Sequence, residues 1–141
     1  MEEEIFKADF CSLLWNEKLQ YVREEWRIVN CSFNDFKSLN YFLEEFCIKK
    51  EVKSLIIDTF AAISLLPDSH HEWLENEFNE TFMIRTKIEN IITILPESLV
   101  TTISVNKFYD NIKTKSRKAR ILKMKSLDEV VKFLELHYPP Q

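Results

Sequence analysis

Polar and apolar positions along this chain follow two periods in turn. Over residues 5–15, Phe6, Ala8 and Phe10 alternate with Lys7 and Asp9, the period-two pattern of a half-buried strand. Asn16-Glu17 interrupts it, and residues 18–27, with Tyr21, Val22 and Trp26, predict a second strand. Two strands so closely joined form an antiparallel hairpin. The run Arg23-Glu24-Glu25 predicts that this hairpin is partly solvated or lies at a sheet edge. The period then changes. Phe36, Leu39, Leu43, Phe46 and Cys47 recur at three- and four-residue spacing, one apolar stripe of a helix running to about Lys50. Ser32 can cap its start, with Asn34 and Asp35 as alternatives, and Lys49 and Lys50 suit the negative end of its dipole.

Residues 54–58 form a short, uniformly apolar run that fits a buried strand. After an irregular segment, Pro67-Asp68-Ser69 opens a second helix to about Thr86, with Glu72 placed for a capping box and Leu74, Phe78 and Phe82 on its inner stripe. Residues 90–95 are another buried strand, ended by Pro96. Ser98 can cap a third helix to about Lys113, with Leu99, Ile103 and Phe108 inward. Residues 119–124 are a last strand. Ser126-Leu127-Asp128-Glu129 opens a final helix with Leu127, Val130, Val131 and Leu134 on one face, stopped by Pro139-Pro140. Strands alternating with helices predict an α/β fold: a mixed, mostly parallel sheet of about five strands, an antiparallel hairpin at its start, and about four helices. No linker divides residues 1–141, so a single domain is expected.

Composition narrows the chemistry. The chain has no glycine, against a usual share of about 7%. A phosphate-binding loop, a dinucleotide fingerprint and a glycine-flanked nucleophile elbow all need glycine, so none is present. Left-handed turn positions must pass to other residues, and Asn16, Asn30 and Asn34 are the expected substitutes. Cys11, Cys31 and Cys47 are odd in number and lack CxxC spacing, which predicts buried, reduced thiols rather than disulfides or zinc ligands. No apolar run reaches the roughly 18 residues of a membrane span. Met1-Glu2-Glu3-Glu4 is acidic where a signal peptide is basic, so a cytoplasmic protein without a membrane span is expected.

In open α/β sheets, ligands bind beyond the carboxyl ends of the strands. Asp58 and Thr59 stand at such an end and are candidates for a ligand or partner surface. Asp58 can equally accept backbone N–H bonds in the following turn. His70, His71, Glu72 and Glu75 cluster at the second helix start. The order His-His-Glu lacks zincin spacing, so a solvated polar helix start is expected, with no metal and no cofactor. Lys107, Lys113, Lys115, Arg117, Lys118, Arg120, Lys123 and Lys125 face only Asp110 as a local counter-charge. Aromatic interleaving is poor and the whole chain is acidic, with a pI near 5.5. This basic patch, centred on Lys113, Lys115, Arg117, Lys118 and Arg120, therefore predicts a solvated face or a docking surface for an acidic protein, including a second copy of this chain, rather than a nucleic-acid site.

Four stretches together resemble the STAS family of anti-sigma-factor-antagonist-like (SpoIIAA-like) domains, in particular a bacterial branch of small stand-alone members without an assigned function. They are Leu19-Gln20-Tyr21-Val22-Arg23-Glu24-Glu25-Trp26; Leu55-Ile56-Ile57-Asp58-Thr59 with Pro67-Asp68-Ser69-His70-His71-Glu72-Trp73; Ile91-Ile92-Thr93-Ile94-Leu95-Pro96-Glu97; and Ser126-Leu127-Asp128-Glu129-Val130-Val131-Lys132-Phe133-Leu134. The resemblance implies a non-enzymatic signalling module that binds a protein partner through Asp58, Thr59, Asp68, Ser69, His70, His71 and Trp73. Family members are switched by phosphorylation within an Asp-Ser-Ser-Gly motif. Asp68 and Ser69 match its first two positions, whereas His70 replaces the serine usually phosphorylated and His71 the glycine. Ser69 is then the remaining phosphorylation candidate, or simply a helix cap. The alternative function is a small-molecule or lipid-binding protein with a pocket between the second helix and the sheet.

Overall fold

A computed structural model describes residues 1–97, 102, 105–107, 109–110 and 119–139. Six strands form one sheet in sequence order: β1 (Glu3–Lys7), β2 (Cys11–Asn16), β3 (Tyr21–Trp26), β4 (Ser54–Asp58), β5 (Asn90–Ile94) and β6 (Arg120–Met124). The first three are antiparallel and β3 to β6 are parallel. The α/β class and mixed sheet are those expected. The predicted strand over 5–15 is two strands, because the chain reverses at Ala8–Phe10, where Ala8 N–H donates to Cys11 O at 3.0 Å. The Arg27 guanidinium donates to the carbonyls of Ala8 and Asp9, satisfying backbone acceptors of this reversal. β3 is therefore interior to the sheet, between β2 and β4, and the Arg23-Glu24-Glu25 run lies at no edge: Arg23 and Glu24 are buried.

Strand alternation sorts the core into two. On one face, Leu13, Trp15, Val22, Trp26, Leu55, Ile57 and Ile91 pack under helix α1 (Phe33–Lys50) and under a second helical element. That element runs as α2 (Asp68–Trp73), a π-helical turn (Leu74–Phe78) and α3 (Asn79–Arg85). On the other face, Tyr21, Ile56, Ile92 and Ile94 meet Val130 and Leu134 of α4 (Leu127–His137). Burying each of those two aliphatic side chains stabilises the fold by about 1.5–3 kcal/mol. Thr102, Val105–Lys107, Tyr109 and Asp110 are helical. The inward positions expected at Leu99, Ile103 and Phe108, and basic residues Lys113, Lys115, Arg117 and Lys118, lie outside the described residues.

Helix ends follow local chemistry in two places and depart from it in a third. Ser32 Oγ accepts from Asp35 N–H at 3.1 Å and caps α1. Ser126 Oγ accepts from Glu129 N–H at 3.2 Å, and the Glu129 carboxylate reaches back to Lys125 N–H, one residue before the cap. The second helix has no side-chain cap. Pro67 occupies that position, so Asp68 and Ser69 are already inside the first turn, and the Ser69–Glu72 capping box does not form.

None of the expected asparagines takes a left-handed position. Among the described residues, positive φ falls on Gln20, Glu51 and Ser64. Asn16 instead uses its side chain, whose Oδ1 accepts from Leu19 N–H at 2.9 Å. Glu51, at φ 52°, closes α1, with its N–H directed to the carbonyls of Cys47 and Ile48. A residue with a Cβ there costs roughly 1–2 kcal/mol relative to the right-handed region. Glycine removes that penalty but adds chain entropy to the unfolded state. Glu51→Gly is expected to stabilise the protein by about 0.5–1 kcal/mol, read from the urea midpoint at constant slope; an unchanged or lower midpoint contradicts a strained cap.

Candidate functional site

The predicted site residues separate into two environments. Asp58 ends β4 on the face turned away from α1. Its Oδ2 accepts from Arg23 Nη1 at 2.8 Å, and its Oδ1 accepts from Phe60 N–H at 3.1 Å, the turn-capping role allowed from sequence. Arg23 is also held by Glu2, with Nη2 to Oε1 at 2.7 Å, and by Glu25 at 3.0 Å. Burial works against charge on Glu2, but hydrogen bonds from Arg23 and Tyr21 outweigh it and keep the carboxyl below its ordinary pKa. The Asp58 carboxylate is thus committed to an ion network and to its turn. Thr59 is buried, and its hydroxyl donates to Ile94 O at 2.7 Å.

The histidine pair is not a solvated helix start. His70 and His71 are buried, at 3% and 8% exposure. His70 Nε2 lies 2.7 Å from Cys31 O, so it carries the proton. In the neutral ring Nδ1 then accepts from the Ser69 hydroxyl at 3.0 Å. The His70 ring packs on Phe33 and Phe36, and Trp73 extends the same cluster to Tyr41 and Phe78. Burial lowers the pKa of His71, with Lys107 adding to the effect. Asp68 is exposed and pairs with Lys107 at 3.3 Å. His70 and Trp73 anchor the second helix against α1. Arg120 lies over the Phe133 ring and donates to Tyr138 OH, on the α4 side.

Between α1, the second helical element and the sheet lies a cavity of about 80 Å³. A buried water needs roughly 10–15 Å³ by this kind of measure, so the space matches about six waters or a molecule of similar bulk. Its floor is Trp26, Leu55, Ile57 and Ile91; α1 contributes Phe36, Asn40 and Leu43; Leu74, Phe78, Asn79 and Phe82 close it from the other side. Among the described residues the walls are mainly apolar and carry no basic side chain. Three polar groups among the described residues line it besides Thr59.

Glu24 is the first. It is buried, and desolvation pushes its carboxyl up to about 7; the hydrogen bond from Trp26 Nε1 at 2.8 Å opposes this only in part. The titratable groups that feel its charge are the thiols of Cys11 on β2 and Cys47 on α1, both raised by burial first and by Glu24 second. Glu44, which also acts on Cys47, is itself paired with Arg85 at 2.7 Å. Asn40, the second, donates to Phe36 O at 2.9 Å. Asn79, the third, is buried, and its Nδ2 has no hydrogen-bond partner among the described residues. The π turn accounts for its direction. In an unbroken α-helix Asn79 stands about 140° round from Leu74. Here its N–H bonds to Leu74 O, five residues back, which brings it over the Leu74 side and into the cavity wall.

Glu24, Asn40 and Asn79 were not among the residues singled out from sequence. Glu24 had a signal: Val22, Glu24 and Trp26 share a face by alternation, and the two neighbours are core residues. Asn40 sits one turn after Phe36 on the α1 stripe. Asn79 had none, because the π turn is not encoded by any proline or other recognised break. Among the described residues no cluster of three or more His, Cys, Asp or Glu side chains can hold a metal ion, and no helix is long and apolar enough to cross a membrane.

Comparison with protein-family models, curated proteins and solved structures finds no match to the chain. The cavity and its polar groups therefore carry the functional argument.

The Glu24 carboxyl makes stability depend on pH in a defined direction. Its folded-state pKa, about 7, lies above the unfolded value of 4.5. The native state holds the extra proton between these values, so the contribution is fully present below about pH 4.5 and lost as pH rises to about 7. The span corresponds to about 3 kcal/mol. Glu24→Gln is expected to be more stable than the parent at pH 8, with the difference shrinking towards pH 4. A pH-independent difference in urea unfolding contradicts the assignment.

Proposed function

We propose that this chain is a binding protein, without catalytic chemistry, that holds a small apolar molecule in the cavity between its helices and the sheet. One observation carries the reading: a mainly apolar cavity whose wall includes a buried carboxyl and an asparagine with a buried amide donor left unpaired among the described residues. Ligand pockets combine apolar walls with a few placed polar groups in this way. A fold selected for stability alone gains nothing from an unpartnered buried donor, which costs about 1–3 kcal/mol. The two groups make sense together when a ligand completes them.

A second reading has its own support. Phe60, Ile63 and Leu65 on the loop after β4 are exposed, as is Ile28, whose backbone bridges to Ile63. Apolar side chains gathered beyond the carboxyl ends of β3 and β4 suit a protein partner, which is also what the resemblance to STAS domains implies. Ser69 remains the exposed hydroxyl beside this loop for a regulatory phosphate.

Native mass spectrometry of the protein from its own host separates the two. The pocket reading expects a small-molecule mass increment that disappears in Leu55→Phe, a substitution that fills the floor of the cavity. The partner reading expects a larger assembly that disappears in Ile63→Asp and survives Leu55→Phe. Bare protein mass in every sample contradicts both.

A further inference from the structure

The polar groups of the cavity also specify the head of the ligand, an inference that rests on the pocket reading above. We propose that the cavity selects an uncharged apolar molecule bearing one carbonyl-type acceptor, received by the Asn79 amide N–H and the Glu24 carboxyl. Asn79 belongs to the cavity wall, and its Nδ2 is buried with no hydrogen-bond partner among the described residues, so the group that would complete it is an acceptor. Glu24 uses its Oε1 to accept from Trp26, and no other hydrogen bond of this carboxyl is made among the described residues. With its proton retained to about pH 7, the second oxygen is a donor as well. Two donors then face one space.

Charge disfavours an anionic head, and unpaired hydrogen-bonding groups disfavour the other classes. Among the described residues no Lys or Arg lines the cavity, so an anionic head has no counter-charge from them, and next to Glu24 it is repelled once that group ionises. A cationic head places its own donors against Asn79 and leaves the amide unpaired. A pure hydrocarbon fills the volume but leaves both polar groups unsatisfied. A ketone, aldehyde, ester or amide carbonyl on a short apolar chain satisfies them, and a volume of about six waters sets its bulk.

Three probes of nearly equal shape test this on the full chain at pH 6 by calorimetry: hexan-2-one, its carbon isostere 2-methylhex-1-ene, and hexan-2-amine. The ketone is expected to bind about tenfold more tightly than the alkene, the scale of one buried hydrogen bond. In Asn79→Ala, which leaves the cavity open and the Glu24 donor in place, that preference is expected to fall to about threefold. In Glu24→Gln, whose side chain keeps an N–H donor, it is expected to persist. Equal binding of ketone and alkene overturns the head-group assignment while leaving the pocket reading in place. So does a ketone preference that Asn79→Ala leaves undiminished. Preferred binding of the amine, lost in Glu24→Gln, overturns it in favour of a cation site. Binding of none of the three contradicts the pocket reading itself, and the assignment with it.

Discussion

Side chains of a β-strand alternate between faces, so β3 sends Glu24 inward whenever it sends Val22 and Trp26 there. The same alternation sends Tyr21, Arg23 and Glu25 to the opposite face. Because β3 is flanked by β2 and β4, neither face is open at an edge. Two charges are thereby buried on opposite sides of one strand, and the molecule treats them differently. Arg23 meets the carboxylates of Glu2, Glu25 and Asp58, which together outweigh its desolvation. Glu24 meets no cation among the described residues. It has one hydrogen bond, from Trp26, and a cavity. Its raised pKa is the physical result of that difference.

The remaining features of the site follow from how this enclosed carboxyl is surrounded. The aromatic cluster of Phe33, Phe36, His70, Trp73 and Phe78 locks the second helix to α1 and keeps solvent away from one side. His70, bonded at both ring nitrogens, fixes the first turn of α2 against the segment before α1. The π turn then lets Leu74, Phe78 and Phe82 remain inward while adding Asn79 to the same wall. π turns recur at functional sites because they re-aim side chains at a modest cost in backbone bonding. Burial and hydrogen bonding thus place a proton-holding carboxyl and an unpaired amide in one mainly apolar space.

Much of the fold was legible in the sequence, for physical reasons that also mark the gaps. Period-two and period-3.6 patterns located the helices and the parallel strands, since apolar side chains there have only one face to choose. Ser32 and Ser126 marked helix starts because their hydroxyls have local backbone donors to receive. The turn at Ala8–Phe10 was hidden, as no glycine or proline punctuates it and a distant arginine serves its carbonyls. Left-handed positions fell to Gln20, Glu51 and Ser64 because helix ends and loop geometry, not residue preference, dictated where they occur. The functional residues expected from sequence were those with conspicuous chemistry, Asp58 and the histidine pair, and these are engaged in structural bonding. The enclosed carboxyl was disguised by its place in a charged run.

The account rests on the state of one proton in an otherwise apolar site. It is read most directly by following the side-chain carboxyl carbon of Glu24 by 13C NMR across a pH titration of the unliganded protein. The account predicts a midpoint near pH 7, with the neighbouring Trp26 indole N–H shifting over the same range. A midpoint near the ordinary 4.5 contradicts it, because a carboxyl that ionises freely is neither enclosed nor available as a donor within the cavity.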